Sequence, residues 1–274
     1  MQTMASRGAV TAVIGTARHS VVELADSHCH LDMFKDGVAI DTAVRGGVST
    51  MITNAVSLDT CKRTLEISDS KHVFPALGID PQSAMAIGSG NIETIVGEFR
   101  RVVEASRRRV VAIGEIGLDF YRAKDGQDAA IQTEVFTGML DIAMDMGLPV
   151  SVHSRSAMDK VLGILSDRDL GMVHLHFFEG NVQQAKEAER HGYMISIPPV
   201  ESGRRKAVIR DVSLDNLMAE SDCPAVGSTP LDVEMSVRMV AEAKGIGFER
   251  AAETLTQNTK AFFKLAGMGG LRRS

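Results

Sequence analysis

The chain has 274 residues, of which 44% are hydrophobic and 24% are charged, and its formal net charge is −5. This composition is typical of a soluble globular protein, and its acidic balance provides no overall attraction for nucleic acid. No apolar run approaches the ~18 residues of a membrane span, so no membrane association is expected. The three cysteines are too widely spaced for a disulfide framework, which favours a cytoplasmic protein. We expect a monomer or a weak oligomer.

Short runs rich in Val, Ile and Leu recur along the chain, with room for a helix between successive runs. The predicted strands cover residues 22–29, 48–56, 72–79, 109–117, 148–154, 171–177, 192–197 and 216–222. Strands that alternate with helices are typical of a parallel sheet. Eight such units within roughly 250 residues predict an α/β fold, the (β/α)8 TIM barrel. An open doubly wound sheet is the alternative.

Helical periodicity is clearest over residues 131–146, where Ile131, Val135, Met139, Ile142 and Met146 fall on one face. Residues 230–265 are predicted to be helical and to close the barrel from outside. The basic runs 107–109 and 204–206 are expected to be solvated helix ends. We predict a single barrel domain over residues 22–267, with an N-terminal extension at 1–21 and a tail at 268–274.

The stretch DSHCHLD, residues 26–32, places two histidines at the end of the first predicted strand. Residues i and i+2 of a strand point to the same face, so His28 and His30 should both point into the barrel. Cys29 should point outward, into the layer between the sheet and the helices. Taken alone, such a histidine pair is a weak indication of a metal site.

The ends of four further predicted strands carry side chains that bind metals. These candidate ligands are Glu115, His153, His176 and Asp222. Each carboxylate taken alone has an ordinary alternative as a helix N-cap. Barrel enzymes build their sites at this end of the strands, so the joint pattern favours one metal site on the rim. His174, two residues before His176, is expected to be a deeper core histidine.

The chemistry of this set suits divalent ions such as Mg²⁺, Mn²⁺ or Zn²⁺. Six ligands exceed the need of one four-coordinate ion and fit two ions ~4 Å apart, bridged by a carboxylate. A hydroxide held between the two ions would be the nucleophile. Asp222 can bind one ion and also orient or deprotonate that water. Glu115 and Asp222 are therefore the predicted catalytic carboxylates.

Several motifs resemble those of the TatD family of metal-dependent hydrolases, an amidohydrolase-like barrel group. The resemblance covers residues 23–267 and is carried by DSHCHLD (26–32), GEIGLDFYR (114–122), LPVSVHSRSA (148–157), HFFEG (176–180), ESDCP (220–224) and NTKAFFKL (258–265). The HFFEG motif favours His176 over His174 as the ligand. The resemblance implies a divalent-metal-dependent deoxyribonuclease that acts from 3′ to 5′, with DNA as its transient substrate.

The resemblance also divides the ligands between two ions. The first ion is assigned to His28, His30, Glu115 and Asp222, and the second to Glu115, His153 and His176. Asp222 is implied to be the base. Arg122 and Arg155 lie within the matching motifs and are candidates for substrate phosphate binding, with structural ion pairs as the alternative.

The sequence departs from the family pattern at two places. After the third strand the family commonly has G-x-H-P, whereas this chain has GIDPQ (78–82), with Asp80 in the position of the histidine. A carboxylate there repels phosphate unless it is protonated or bound to metal. Residues 196–206 also differ from the family. A metal-dependent amide, ester or lactone hydrolase acting on a small molecule is the alternative function, and a non-catalytic binding barrel is the third.

Overall fold

A computed structural model describes residues 22–35 and 37–265 of the chain. The strands are β1 (Leu24–Cys29), β2 (Val48–Asn54), β3 (Val73–Leu77), β4 (Ala112–Gly117), β5 (Val150–His153), β6 (Val173–Leu175), β7 (Met194–Ile197) and β8 (Leu217–Ala219). The helices are α1 (Val38–Arg45), α2 (Leu58–Ile67), α3 (Pro81–Ile87), α4 (Ile92–Ser106), α5 (Gly126–Met146), α6 (Met158–Asp167), α7 (Val182–Arg190), α8 (Gly203–Asp211), α9 (Val233–Lys244) and α10 (Phe248–Phe262). The predicted N-terminal extension at 1–21 and tail at 268–274 lie outside the described residues.

The eight strands pair in parallel and in chain order from β1 to β8. This arrangement confirms the predicted (β/α)8 barrel and excludes the open doubly wound sheet. The segment after β8 returns to β1, because Asp222 N donates to His28 O at 3.0 Å and His30 N donates to Cys223 O at 2.8 Å. We call this junction of residues 220–223 with β1 the seam.

Five strands, β2, β3, β5, β6 and β8, end one to three residues earlier than predicted, because the predicted bounds ran on into the loops. Strand β6 stops at Leu175, and Phe177 has a φ of +45° that is incompatible with a continuing strand. Strand β8 stops at Ala219, and Asp222 has a φ of +48°. The predicted helical stretch at 230–265 contains two main helices, because Gly245 ends α9 in a left-handed conformation.

The predicted face of α5 packs on the barrel through Ile131, Val135, Met139 and Ile142, while Met146 is half-buried. Strand side chains alternate between two apolar layers, as β2 illustrates with Met51 in the layer under the helices and Ile52 in the barrel interior. The three cysteines are free and buried. Within residues 22–35 and 37–265, no helix has both the length and the apolar character needed to cross a membrane.

The basic run at 204–206 differs from its prediction. Arg205 is only 7% exposed, so the expectation of a solvated helix end is wrong for this residue. Its position explains the burial, because Arg205, Val208 and Ile209 share the face of α8 that packs inward. The run at 107–109 is exposed, as predicted.

Gly117 fixes the approach of β4 to β5 beside the rim. Its φ is +139°, and a Cβ at this position would clash with the carbonyl oxygen of His153. We expect Gly117→Ala to lower the free energy of unfolding by at least about 2 kcal/mol, because backbone strain and overpacking act together. Urea denaturation measures the change. Gly163→Ala is the control, since the α6 residue Gly163 has open space around it and should gain about 0.5–1 kcal/mol. Equal effects at both glycines would contradict this account.

Candidate metal centre

The six predicted ligands all lie at the carboxyl ends of strands and meet at one point of the rim. Three groups have their ligand atoms within 4.8 Å of one another, namely His28, His176 and Asp222; His28, His30 and Glu115; and Glu115, His153 and His176. Because parallel strands all end at the same edge, residues far apart in the chain become neighbours. Their side chains are buried or nearly so, which leaves them in a low-dielectric site.

Glu115 lies at the centre of the cluster, and its two oxygens face opposite sides. Oε2 lies 3.6 Å from His28 Nε2 and 3.4 Å from His30 Nε2. Oε1 lies 2.9 Å from His153 Nδ1 and 3.1 Å from His176 Nε2. One carboxylate therefore serves two separate histidine pairs.

The first histidine pair is oriented by contacts on the far side of each ring. His30 Nδ1 lies 2.9 Å from the carbonyl oxygen of Asn54, which makes Nδ1 the protonated donor and leaves the Nε2 lone pair for the cluster. His28 Nδ1 lies 3.3 Å from Ser151 Oγ, so its Nε2 also faces inward. The two Nε2 atoms are 3.3 Å apart.

Asp222 faces the first histidine pair from the seam. Its Oδ1 lies 3.5 Å from His30 Nε2, and its backbone N–H donates to the carbonyl oxygen of His28. The left-handed backbone of Asp222 turns the chain sharply after β8 and aims the carboxylate at the cluster. Asp222 is only 6% exposed, so little of its surface contacts solvent although it lines the cleft.

The electrostatics of the cluster are dominated by burial and by the central carboxylate. Burial alone would raise the pKa of Glu115, but the charge of His176 and hydrogen bonds from His153, His176 and His28 hold it well below its usual range. Burial opposes charge on His30, yet hydrogen bonding to Asp222 and the charge of Glu115 raise its pKa to about 9. The cluster thus keeps Glu115 ionised and attracts positive charge.

The ligand atoms that converge in this cluster are of the kinds that bind metal ions. Nitrogen atoms of His153 and His176 approach to 3.1 Å, and both face the same oxygen of Glu115. Imidazole nitrogen and carboxylate oxygen form the donor set preferred by Zn²⁺ and related divalent ions. The residues present therefore fit a metal-dependent site.

Two carboxylates that the sequence reading missed lie directly behind the histidines. Asp119 Oδ2 lies 3.4 Å from His153 Nε2, and Glu220 Oε2 lies 3.8 Å from His176 Nδ1. Neither histidine nitrogen has a hydrogen-bond partner among the described residues, so these contacts are electrostatic. Carboxylates on this side of metal-binding histidines orient the rings. Both residues lie within the motifs GEIGLDFYR and ESDCP, and this is the sequence signal that points to them.

The cluster opens into a cleft of about 570 Å³ that is lined by Arg122, Arg155 and Asp80 among others. Arg122 Nε lies 3.5 Å from Asp119 Oδ2, and the Arg155 guanidinium lies 4.0 Å from the ring centre of Tyr121. Arg122 thus has the structural ion pair that was its alternative role. Asp80 caps α3 by accepting a hydrogen bond from Ser83 N at 2.8 Å.

His174 lies below the cluster, as predicted for a core histidine. Its side chain is fully buried, with Nδ1 3.1 Å from Ser151 Oγ and Nε2 2.8 Å from Ser196 Oγ. Burial, followed by the charge of His176, holds the pKa of His174 well below its usual range. It supports the floor of the site as a neutral hydrogen-bonded group.

Comparison with known proteins identifies the family. The family model described as TatD related DNase matches residues 25–264. The human protein named Deoxyribonuclease TATDN3 is 30% identical over 265 residues, covering 90% of this chain and 96% of the relative. A Bacillus subtilis protein named "Uncharacterized metal-dependent hydrolase YabD" is 27% identical over 262 residues, covering 88% of this chain and 99% of the relative.

Among solved structures, the TatD homolog YjjV from Escherichia coli superposes with a TM-score of 0.80 at 25% identity, covering 89% of this chain and 99% of that one. The family resemblance found in the sequence motifs is therefore confirmed. On this evidence, the chain belongs to the TatD related DNase family of metal-dependent hydrolases.

Proposed function

We propose that the protein is a two-metal phosphodiesterase that removes nucleotides from the 3′ end of DNA. The proposal of two metal ions rests on the geometry of Glu115. Each of its carboxylate oxygens faces a different histidine pair, at 2.9–3.6 Å. This is the arrangement expected of a carboxylate that bridges two ions. The DNA part is supported by the name of the human relative and of the family.

The charges of the cleft also favour two ions. Its lining includes five carboxylates, from Asp80, Glu115, Asp119, Glu179 and Asp222, against two guanidinium groups. When the histidines are neutral, as metal binding requires, and the carboxylates are ionised, the cleft carries three negative charges and repels a phosphodiester. Two divalent cations add four positive charges and reverse that sign, so substrate binding would follow metal binding.

Each residue then has a distinct role. His28, His30 and Asp222 would hold the first ion, His153 and His176 the second, and Glu115 both. Divalent ions held by these residues would lower the pKa of water and neutralise the phosphate oxygens. Asp222 lies on the edge of the cluster and would accept the proton of the attacking water. Arg122 and Arg155 lie farther out on the rim, where their guanidinium groups suit phosphate oxygens.

The test is hydrolysis of single-stranded DNA labelled at its 5′ end, with Mg²⁺, Mn²⁺, Zn²⁺ or EDTA. We expect a stepwise ladder that shortens from the 3′ end, requires metal and is absent with Asp222→Asn. A parallel reaction with DNA blocked at its 3′ end should show little cleavage. Cleavage in EDTA would contradict the metal role, and unchanged cleavage of the blocked strand would contradict the 3′ to 5′ direction.

Asp80 favours one second candidate, a metal-dependent hydrolase of small amides, esters or lactones. This carboxyl lines the cleft at the position where the family commonly has histidine. A neutral carbonyl substrate would tolerate Asp80 better than a phosphodiester would. A panel of chromogenic esters, lactones and phosphodiesters separates the candidates, since metal-loaded protein that cleaves only carbonyl substrates would exclude the nuclease.

A further inference from the structure

A second cavity adjoins the cleft that contains the candidate metal centre. It has a volume of about 890 Å³ and lies at the ends of β5, β6 and β7. Ser154, Phe177 and Glu179 line both the cleft and this second cavity, so the two spaces share a wall. We call the second space the side cavity.

Arg205 is the unusual residue of the side cavity. Its side chain lines the cavity although the residue is only 7% exposed. Its guanidinium donates to the carbonyl oxygen of Val200 and lies 5.4 Å from the ring centre of Phe177, while Nε is buried without a hydrogen-bond partner. A buried guanidinium nitrogen without a partner is costly, which indicates that an anionic partner is missing.

The neighbouring carboxylates do not act as the anionic partner of Arg205. Within the described part of the chain, Arg205 forms no ion pair. The nearby carboxylate of Glu220 already accepts hydrogen bonds from Phe177 N at 2.7 Å and Ser196 Oγ at 2.6 Å. Glu179 is exposed, and both Glu220 and Glu179 act on Arg205 through their charge, with no hydrogen bond to its guanidinium among the described residues. The guanidinium is therefore held in place by the fold but left available to a ligand.

Other features of the side cavity also suit an anion. Its charged lining consists of Lys160, Arg204 and Arg205 against Asp159 and Glu179, a net charge of one positive where the cleft itself is negative. Helix α6 begins in this wall with no side-chain cap, so its first N–H groups and its dipole also favour negative charge there. The aromatic rings of Phe120 and Phe177 provide apolar surface beside these groups.

We propose that the side cavity binds the second phosphate of a DNA strand whose terminal phosphodiester lies at the candidate metal centre, and that Arg205 is its main contact. The proposal rests on the proposed nuclease function and adds a substrate class, which is a strand of at least three nucleotides. A dinucleotide has one phosphodiester and cannot reach both sites at once. A trinucleotide has two and can occupy both.

The test compares kcat/KM for a deoxydinucleotide, a deoxytrinucleotide and bis(p-nitrophenyl) phosphate, using metal-loaded protein. In the unmodified protein, the trinucleotide should be cleaved at least about tenfold more efficiently than the dinucleotide, as expected for one charge-assisted phosphate contact. Arg205→Met should abolish the advantage of the trinucleotide over the dinucleotide, mainly by raising KM for the trinucleotide. It should leave kcat/KM for the two substrates with a single phosphate unchanged. Arg210→Met is the matched control, because Arg210 lies on the exposed face of the same helix and pairs with Asp211.

The results of this experiment distinguish failure of the side-cavity proposal from failure of the nuclease proposal. Equal efficiency on both oligonucleotides in the unmodified protein would overturn the proposal, as would a loss in Arg205→Met that is the same for all substrates. If Arg205→Met does not fold, Arg204→Met, at an exposed position, is measured instead. It should reduce the ratio of kcat/KM for the trinucleotide to kcat/KM for the dinucleotide. No cleavage of any phosphodiester by metal-loaded protein would refute the nuclease function itself, and the side-cavity proposal would fall with it.

Discussion

Replacement of Glu115 by glutamine should reduce hydrolysis and metal binding together. Each oxygen of Glu115 faces two histidine nitrogens, and the amide of glutamine would place an N–H donor where one of these oxygens now lies. A donor cannot bind a cation, so at least one side of the cluster loses its ligand. We expect kcat/KM to fall by about a thousandfold or more, since metal binding and charge stabilisation are lost at once.

Metal content by mass spectrometry and kcat/KM on the same preparations measure this effect. Glu104→Gln, on the exposed side of α4, is a control of identical chemistry and should change neither quantity. A Glu115→Gln protein that keeps two ions per chain and near-normal kcat/KM would show that the central carboxylate is not a ligand.

Replacement of Asp222 by asparagine should separate catalysis from metal binding. Asparagine adopts a left-handed backbone as readily as aspartate, so the turn at a φ of +48° and the seam should persist. The cluster formed by Glu115, His153 and His176 does not include Asp222 and should keep its ion. We expect kcat to fall by about a thousandfold with a smaller change in KM, because an amide cannot accept the proton of water.

The measurements are kcat, KM and bound metal for Asp222→Asn beside Asp215→Asn, an exposed aspartate just before β8. Asp215→Asn should behave as the unmodified protein. Loss of all metal from Asp222→Asn would refute the separation, and retention of full activity would refute the role of Asp222 as base.

The order of the strands was predictable because each one is a short apolar run with a helix behind it. Their ends were less predictable, since loop residues such as Phe177 are apolar too, and the backbone angles that stop β6 are invisible in composition. The two helices within 230–265 were merged for a related reason. Gly245 is an ordinary glycine in the sequence, and its role as a stop depends on its left-handed conformation.

The proximity of the six candidate ligands followed from strand position alone, because parallel strands bring their carboxyl ends together. The supporting carboxylates Asp119 and Glu220 were not predicted, since their importance depends on which side of a histidine they face. Arg205 was predicted to be exposed because its neighbours in the sequence are charged. Arg205 is buried because it lies on the inward face of α8. Val208 and Ile209, at i+3 and i+4, mark that face in the sequence.

The seam has a consequence for how the protein is made. Asp26 accepts hydrogen bonds from Ser221, which lies 195 positions later in the chain, and Asp222 and His28 meet at the same junction. During synthesis from the N-terminus, His28 and His30 leave the ribosome long before residues 220–223, which close the barrel beside them. Contacts of such long sequence separation form late and slow folding. We therefore expect the centre to mature only after the last strand has docked, so that incomplete chains are poor traps for metal.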